Sequence, residues 1–480
     1  MRKLLSFLVL VALMPVVFLL YRCNPSQEEI KLVILHTNDM HAHLKNFGKL
    51  AAVIEKTRKE NKNVMVVCAG DIFSGDPVVD QYPEKGYPQI DLMNRTGFQL
   101  CEIGNHEFDY GQAMLEKRIA EANFPFICAN MQVIDSPIKQ PAPDFVWNVE
   151  GLKIVFIGLL QTSAENLPST NPVNVKGLKF SNGVDVAGNY SNLKSENDAV
   201  IGLTHLGVET DRQLAEKYPY FDVIVGGHSH TLIKDPKETN HVLITQAGDY
   251  LHYVGMLTLT FKGHQLIQKQ DKLIGLDDYP ETDSRIDSLV EYYNNNPAYN
   301  RVIGEATEPV EGKNELGAMF TDAVLACGNF DFAFQNNGGI RIDRIDRGPV
   351  TVKTIYELDP FGNEVVSLDM TYDELKSLIK YSFEHHHNSP DLQVSGGQYE
   401  IITNPDHSYK DVSIKDIKGK ELIPGKIYRV ALSNYIISAY HFNHKDPGKS
   451  MGITTAESII NFIEAQKTID YHGVKRIFIK

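Results

Sequence analysis

The residues best suited to chemistry fall where apolar stretches end. Gly104-Asn105-His106-Glu107-Phe108-Asp109 follows a strand-like run at 98–103 and is polar as soon as that run stops. Gly104 lets the backbone turn tightly, because it has no Cβ. Asn105 offers a carbonyl oxygen to a metal, and His106 offers an imidazole. Asp109 follows closely enough to bond one ring nitrogen of His106, which fixes the nitrogen left for a substrate. Four more junctions of this kind occur: Asp39 and His41 after 31–35, Asp71 after 64–68, His205 after 199–203, and His228 and His230 after 223–225. One such junction alone reads as a polar turn. Five in one part of the chain read as a single site assembled from several loops.

Asp39, His41, Asp71, Asn105, His205, His228 and His230 form a nitrogen and oxygen ligand set without a thiolate. Imidazole with carboxylate suits zinc, manganese, iron or nickel. Seven ligands are too many for one tetrahedral ion and suit two ions sharing a carboxylate. Paired ions clamp an in-line phosphoryl displacement and make the water between them acidic enough to attack near neutral pH. Phosphate esters need such help, since their uncatalysed hydrolysis is among the slowest known.

The elements that must position these residues are short apolar strands alternating with helical periodicity, the pattern of an α/β layered domain. Helices are predicted at 50–58, 90–95 and 113–122, and further strands at 126–129, 153–159 and 241–246. The site then lies on loops beyond the strand ends. This first domain spans 29–275. Residues 276–300 read as a linker helix, and 301–480 form a second, α+β domain. Its predicted helices cover 315–326, 372–383 and 456–465, and its strands 330–334, 365–368 and 428–432. His385-His386-His387 reads as a polar helix end.

With 480 residues, two or three domains are expected. The net charge of −14 excludes a nucleic-acid polymer as partner, because that backbone needs a basic face. A small anionic substrate must be drawn in by local positive charge, from metal ions or arginine. Arg2 and Lys3 precede an apolar run at 4–21, so 1–28 reads as an export signal or membrane anchor. The run stops at Arg22-Cys23, which makes a lipid anchor on Cys23 the alternative to cleavage. Cys68, Cys101, Cys128 and Cys327 lie in or at the ends of apolar runs and read as buried free thiols.

The order Asp-x-His, Gly-Asp, Gly-Asn-His-Glu, Thr-His, Gly-His-x-His resembles the calcineurin-like metallophosphoesterases. His36-Thr37-Asn38-Asp39 and Gly104 to Asp109 are similar to the bacterial 5′-nucleotidase branch, as are Asn337-Gly338-Gly339-Ile340-Arg341 and Pro360-Phe361-Gly362-Asn363 in the second domain. The resemblance implies a four-layer metallophosphoesterase β-sandwich flanked by helices, followed by a smaller α+β domain. It implies two divalent ions, zinc, manganese or iron. Asp39, His41 and His230 would hold one and Asn105, His205 and His228 the other, with Asp71 bridging. His106, oriented by Asp109, would stabilise charge on the phosphoryl group or the leaving oxygen. Arg341 and Tyr435 would bind the substrate.

The implied activity is that of an exported phosphohydrolase acting on small phosphate monoesters, nucleoside 5′-monophosphates first, in the periplasm or cell envelope. The alternatives are a phosphodiesterase or pyrophosphatase on cyclic nucleotides or nucleotide sugars, a sulfur-ester hydrolase, and a metal-holding binding protein. The second domain departs from the family pattern. The family clamps a nucleobase between two rings. Tyr435 matches one of them, but Asp391-Leu392 stands before Gln393-Val394-Ser395-Gly396 where the other ring is expected. Ser438-Ala439-Tyr440-His441 replaces a glycine-rich segment whose aspartate contacts ribose. Tyr399 and Tyr440 are candidate substitutes for the missing ring.

Overall fold

A computed structural model describes residues 29–480. The export or anchor segment and Cys23 lie outside the described residues. Among those described, no helix is long and apolar enough to cross a membrane.

The first domain holds two six-stranded sheets. One runs in the order Gln265–Gly275, Tyr253–Lys262, Glu29–Thr37, Val64–Cys68, Leu100–Glu102, Phe126–Ile127. The other runs Glu238–Thr239, Val242–Thr245, Val223–Val225, Ala199–His205, Leu152–Leu160, Asp144–Val149. Side chains alternate faces along a strand, and the apolar residues follow that period. Leu32, Ile34, Met65 and Val67 point into a core shared with Ile154, Phe156, Ile201 and Leu203 of the second sheet. Leu35, Val66 and Cys68 face the other way, onto Phe47, Leu50, Val53, Ile90 and Met93 of the helices Phe47–Glu60 and Tyr87–Thr96. Val155, Ile157, Val200 and Ile224 meet Leu214 and Ala215 of the helix Val208–Lys217 on the far side. Two sheets between helices make the four-layer α/β architecture.

Register brings the loops together. Thr37 pairs with Cys68 and Cys68 with Cys101 in parallel strands, so three carboxyl ends lie level. Leu160 pairs with His205, and Leu203 with Val225, in the second sheet. The long hairpin Tyr253–Lys262 and Gln265–Gly275 adds two antiparallel strands beside Glu29–Thr37.

The helix Ser284–Asn294 begins at Asp283, whose side chain accepts the Arg285 N–H. It buries Ile286, Val290 and Tyr293 against the first domain's helical layer, so it packs on the domain it leaves. The second domain centres on a five-stranded sheet, Leu392–Ser395, Phe332–Asn336, Ile427–Ser433, Glu364–Thr371, Lys449–Thr454. Helices Gly312–Ala326 and Thr455–Gln466 build one core on it, and Tyr372–His385 a second. Capping boxes, Thr371 with Glu374 and Thr454 with Glu457, set two of these helix starts by satisfying otherwise orphaned backbone N–H groups. His385 is the last residue of its helix.

Candidate metal centre and active site

Five of the seven candidate ligands have left-handed backbone: Asp39 (φ 48°), His41 (46°), Asp71 (54°), His228 (76°) and His230 (54°). Such conformations are costly for residues other than glycine, and they concentrate where a chain must aim a functional group. Two glycines let the loops approach. A Cβ on Gly104 would lie 2.3 Å from Asp71 Oδ1, and one on Gly227 would lie 2.5 Å from the Ala69 carbonyl oxygen.

The side chains converge in three overlapping groups, one of which, His41, Asp71 and His106, links the other two. Asp39, His41 and His230 offer ligand atoms all within 4.8 Å of one another, as do Asp71, His205 and His228. The groups adjoin, because His41 Nε2 is 3.8 Å from Asp71 Oδ2 and His205 Nε2 is 3.9 Å from Asp39 Oδ1. Asn105 Oδ1 lies 2.9 Å from His228 Nδ1 and so joins the second group. All seven predicted ligands are thus brought together.

The donor set fits divalent metal. His41 Nε2 and His230 Nε2 face each other at 3.0 Å, and two imidazole lone pairs cannot do so without a cation or a proton. His205 Nε2 is buried, 2.9 Å from Asp71 Oδ2 but off line for a hydrogen bond, and it has no hydrogen-bond partner among the described residues. The opposite ring nitrogens are fixed. His41 Nδ1 donates to the Ser74 carbonyl (2.9 Å), His205 Nδ1 to the Ala69 carbonyl (2.7 Å), and His230 Nδ1 to Asp249 (3.0 Å). This turns each Nε2 inward, as second partners do at metal sites.

Protonation follows the same geometry. Burial works against the His205 cation, but Asp71 and Asp39 outweigh it and raise its pKa to about 10. His230 is likewise raised to about 9, against burial, by bonds to Asp249 and Asp39. Burial and the charge on His205 push His228 down to about 4. Burial also lowers His41, helped by the Arg341 guanidinium. The site therefore holds positive charge beside its carboxylates even as protons, which a metal must displace.

Two supporting residues have roles that the sequence reading did not assign. Glu107 is buried and accepts N–H bonds from Asp71 (3.0 Å), Ile72 (2.7 Å) and Gly104 (2.5 Å), so it ties the Asp71 loop to the His106 loop. It stands inside the Gly104 to Asp109 motif, where its position next to His106 was the available clue. Asp249 follows the strand Val242–Thr245, another polar residue past a strand end.

His106 Nδ1 lies 2.6 Å from Asp109 Oδ2, and Thr170 Oγ1 donates to the other Asp109 oxygen at 3.0 Å. Burial opposes the His106 cation, yet Asp109 and Asp71 together raise its pKa. With Nδ1 engaged, Nε2 is the nitrogen left for a substrate.

A cleft of about 400 Å³ opens between the domains beside this dyad. His106, Asp109 and His228 line one side, and Arg341, Phe361 and Tyr435 the other. Arg341 Nη2 lies 3.3 Å from His41 Nε2, which puts a guanidinium from the second domain against the first ligand group. Both predicted substrate residues, Arg341 and Tyr435, reach the cleft. Tyr399 and Tyr440 do not line it. The Tyr399 hydroxyl is buried and donates to the Leu392 carbonyl (2.5 Å), and the Tyr440 hydroxyl donates to Asp391 (2.5 Å). Neither replaces a second ring, because both side chains are buried inside the second domain and away from the cleft lining.

Residues 32–232 match the family model for calcineurin-like phosphoesterases, and residues 295–441 match the model for the 5′-nucleotidase C-terminal domain. The chain carries a calcineurin-like phosphoesterase domain followed by a 5′-nucleotidase C-terminal domain. The first of these holds the ligand groups. The trifunctional nucleotide phosphoesterase protein YfkN of Bacillus subtilis is 27% identical over 84% of this chain, although the chain spans only 32% of that protein's length. Protein UshA of Escherichia coli is 27% identical over 92% of both chains. The crystal structure of a 5′-nucleotidase precursor from Thermus thermophilus has the same fold, with a TM-score of 0.82 and 26% identity over 94% of this chain and 99% of that one.

Proposed function

We propose that this protein is an exported phosphohydrolase that uses two divalent metal ions to release phosphate from small phosphate monoesters, nucleoside 5′-monophosphates first among them. The observation that carries this reading is the adjacency of the Asp39–His41–His230 and Asp71–His205–His228 groups, 3.8 Å apart between His41 Nε2 and Asp71 Oδ2, with the His106–Asp109 pair beside them. Asp39, His41 and His230 would hold one ion, Asn105, His205 and His228 the other, and Asp71 both. Bound there, zinc, manganese or iron supplies Lewis-acid charge and makes water acidic enough to serve as nucleophile.

The chain's own residues do the rest. Asp109 fixes the His106 ring and favours its cation, so Nε2–H can neutralise charge building on the phosphoryl group or the leaving oxygen. The backbone N–H of His106 donates to Asp71 at 2.8 Å, which links the dyad to the shared carboxylate. Arg341 brings a planar fork suited to phosphate oxygens, and offsets the repulsion an anionic substrate meets on a chain of net charge −14. Tyr435 offers one aromatic face to the rest of the ligand. Export rests on the Arg2-Lys3 and apolar run of the N-terminus, with Cys23 as the residue for a lipid anchor.

The test is phosphate release from a panel of nucleotides, sugar phosphates and an aryl phosphate, with manganese or zinc and with chelator. Chelator-sensitive turnover of monoesters supports the reading. Metal binding without turnover of any ester favours the binding-protein alternative.

A further inference from the structure

Beyond the ligand groups and Arg341, asparagines are the commonest residues of the cleft lining. Asn171 and Asn174 reach it from the first domain, and Asn336, Asn363 and Asn434 from the second. Much of their hydrogen-bonding capacity is open among the described residues. Asn434 and Asn171 accept backbone N–H bonds through Oδ1, from Glu364 (3.1 Å) and Val173 (3.1 Å), and leave their Nδ2 groups unengaged. Asn174 donates one long bond to the Asp109 carbonyl (3.4 Å) and keeps its own oxygen. The Asn363 side chain is engaged by no other described residue, although its backbone carbonyl is held by Thr455.

Aromatic surface is scarce by comparison. The Phe361 ring is stacked on His106 and lies 5.7 Å from the Arg341 guanidinium carbon. Tyr435 is then the one remaining ring of the lining outside the histidines. A base bound by stacking needs ring faces, each worth about 1–3 kcal/mol on aromatic platforms. A sugar needs donors and acceptors side by side, which amides supply together. A site built to bond hydroxyls also discriminates against ligands lacking them, because its amides are left unpaired. The cleft volume of about 400 Å³ falls in the lower part of the usual range of about 300–1,000 Å³ for ligand sites.

We infer that the second-domain side of this cleft reads the hydroxyls of the substrate's sugar and not its base, so that a base-free pentose 5-phosphate is a substrate comparable to a nucleoside 5′-monophosphate. This inference rests on the phosphohydrolase reading above and narrows its substrate class.

The test compares kcat/KM for adenosine 5′-monophosphate, ribose 5-phosphate and phenyl phosphate, using the full chain with manganese. The inference predicts ribose 5-phosphate within about tenfold of the nucleotide and about tenfold or more above phenyl phosphate. Asn363→Ala, at a partly exposed loop position, lowers both sugar esters by the same factor. A preference of about a hundredfold or more for the nucleotide over ribose 5-phosphate overturns the inference. So does phenyl phosphate equalling both sugar esters, a result that leaves the hydrolase reading standing. If no ester is turned over, the hydrolase reading fails, and calorimetry with the two sugar esters decides the inference separately. Similar affinities uphold it; binding of the nucleotide alone, or of neither, overturns it.

Discussion

The His106 imidazole and the Phe361 ring stack across the junction of the two domains, with centroids 5.7 Å apart and planes 21° from parallel. Phe361 thereby touches the residue assigned to transition-state charge, while its own loop belongs to the substrate side. An aromatic pair of this kind is worth about 0.5–1.5 kcal/mol beyond the area it buries. Phe361→Ala should therefore lower kcat/KM by about two- to thirteenfold, converted from that energy. Steady-state kinetics on a monoester check it, and unchanged kcat/KM would show the stack to be incidental.

His106→Ala removes a charge partner but no member of the Asp39–His41–His230 or Asp71–His205–His228 groups. Turnover should fall by about 10²- to 10⁴-fold, the usual contribution of a positioned acid–base group. Metal content, measured by elemental analysis, should stay near that of the unaltered protein. Asp109→Asn should lose less, because the ring survives without its orienting carboxylate. Full activity in His106→Ala would sink the assigned role.

Glu107 holds the Asp71 loop through three backbone N–H groups. Glu107→Ala leaves those donors buried without partners, at about 1–3 kcal/mol for each that finds no water. The melting temperature and the bound metal should fall together. A normal melting temperature with full metal content would show that the loop holds itself.

Asp359 is buried beneath the Phe361 loop, where the Thr455 hydroxyl donates to it. Burial pushes its pKa up to about 7, against the bonds from Thr455 and the Phe361 N–H. A raised carboxyl pKa means that the folded chain holds the proton more tightly than the unfolded chain. The resulting stabilisation is complete below the unfolded value of about 3.9 and is lost as pH rises through about 7. Urea unfolding at pH 5 and pH 8 should show Asp359→Asn losing less stability with rising pH than the unaltered protein. Parallel losses in the two proteins would contradict this.

The ligand junctions were legible because each strand is a short apolar run that stops at a polar ligand type, and register does the rest. His41 and His230 lie far apart in sequence and follow strands of different sheets, yet their loops meet and their ring nitrogens come within 3.0 Å. The hairpin Tyr253–Lys262 and Gln265–Gly275 was not legible. Its outer strand reads Gln-Leu-Ile-Gln-Lys-Gln-Asp and is held by pairing to its neighbour more than by burial. Glu107 stood within the quoted motif, but its role did not show, because an acid that accepts backbone N–H bonds leaves no spacing pattern. The Arg341–His41 approach joins residues 300 positions apart and follows from how the domains dock, which local periodicity does not encode. The two tyrosines proposed as substitute rings do not serve, because both are buried in the second domain away from the cleft, which local periodicity does not encode.

The central claim is that the Asp71-centred ligand groups hold metal that drives phosphate ester hydrolysis. The most direct measurement is phosphate release from adenosine 5′-monophosphate and ribose 5-phosphate by the chelator-stripped protein, before and after manganese or zinc is added back, beside Asp71→Asn. The account predicts no release without metal, restoration on adding it, and neither full metal content nor turnover in Asp71→Asn. Release that persists in the stripped protein, or undiminished turnover in Asp71→Asn, would contradict it.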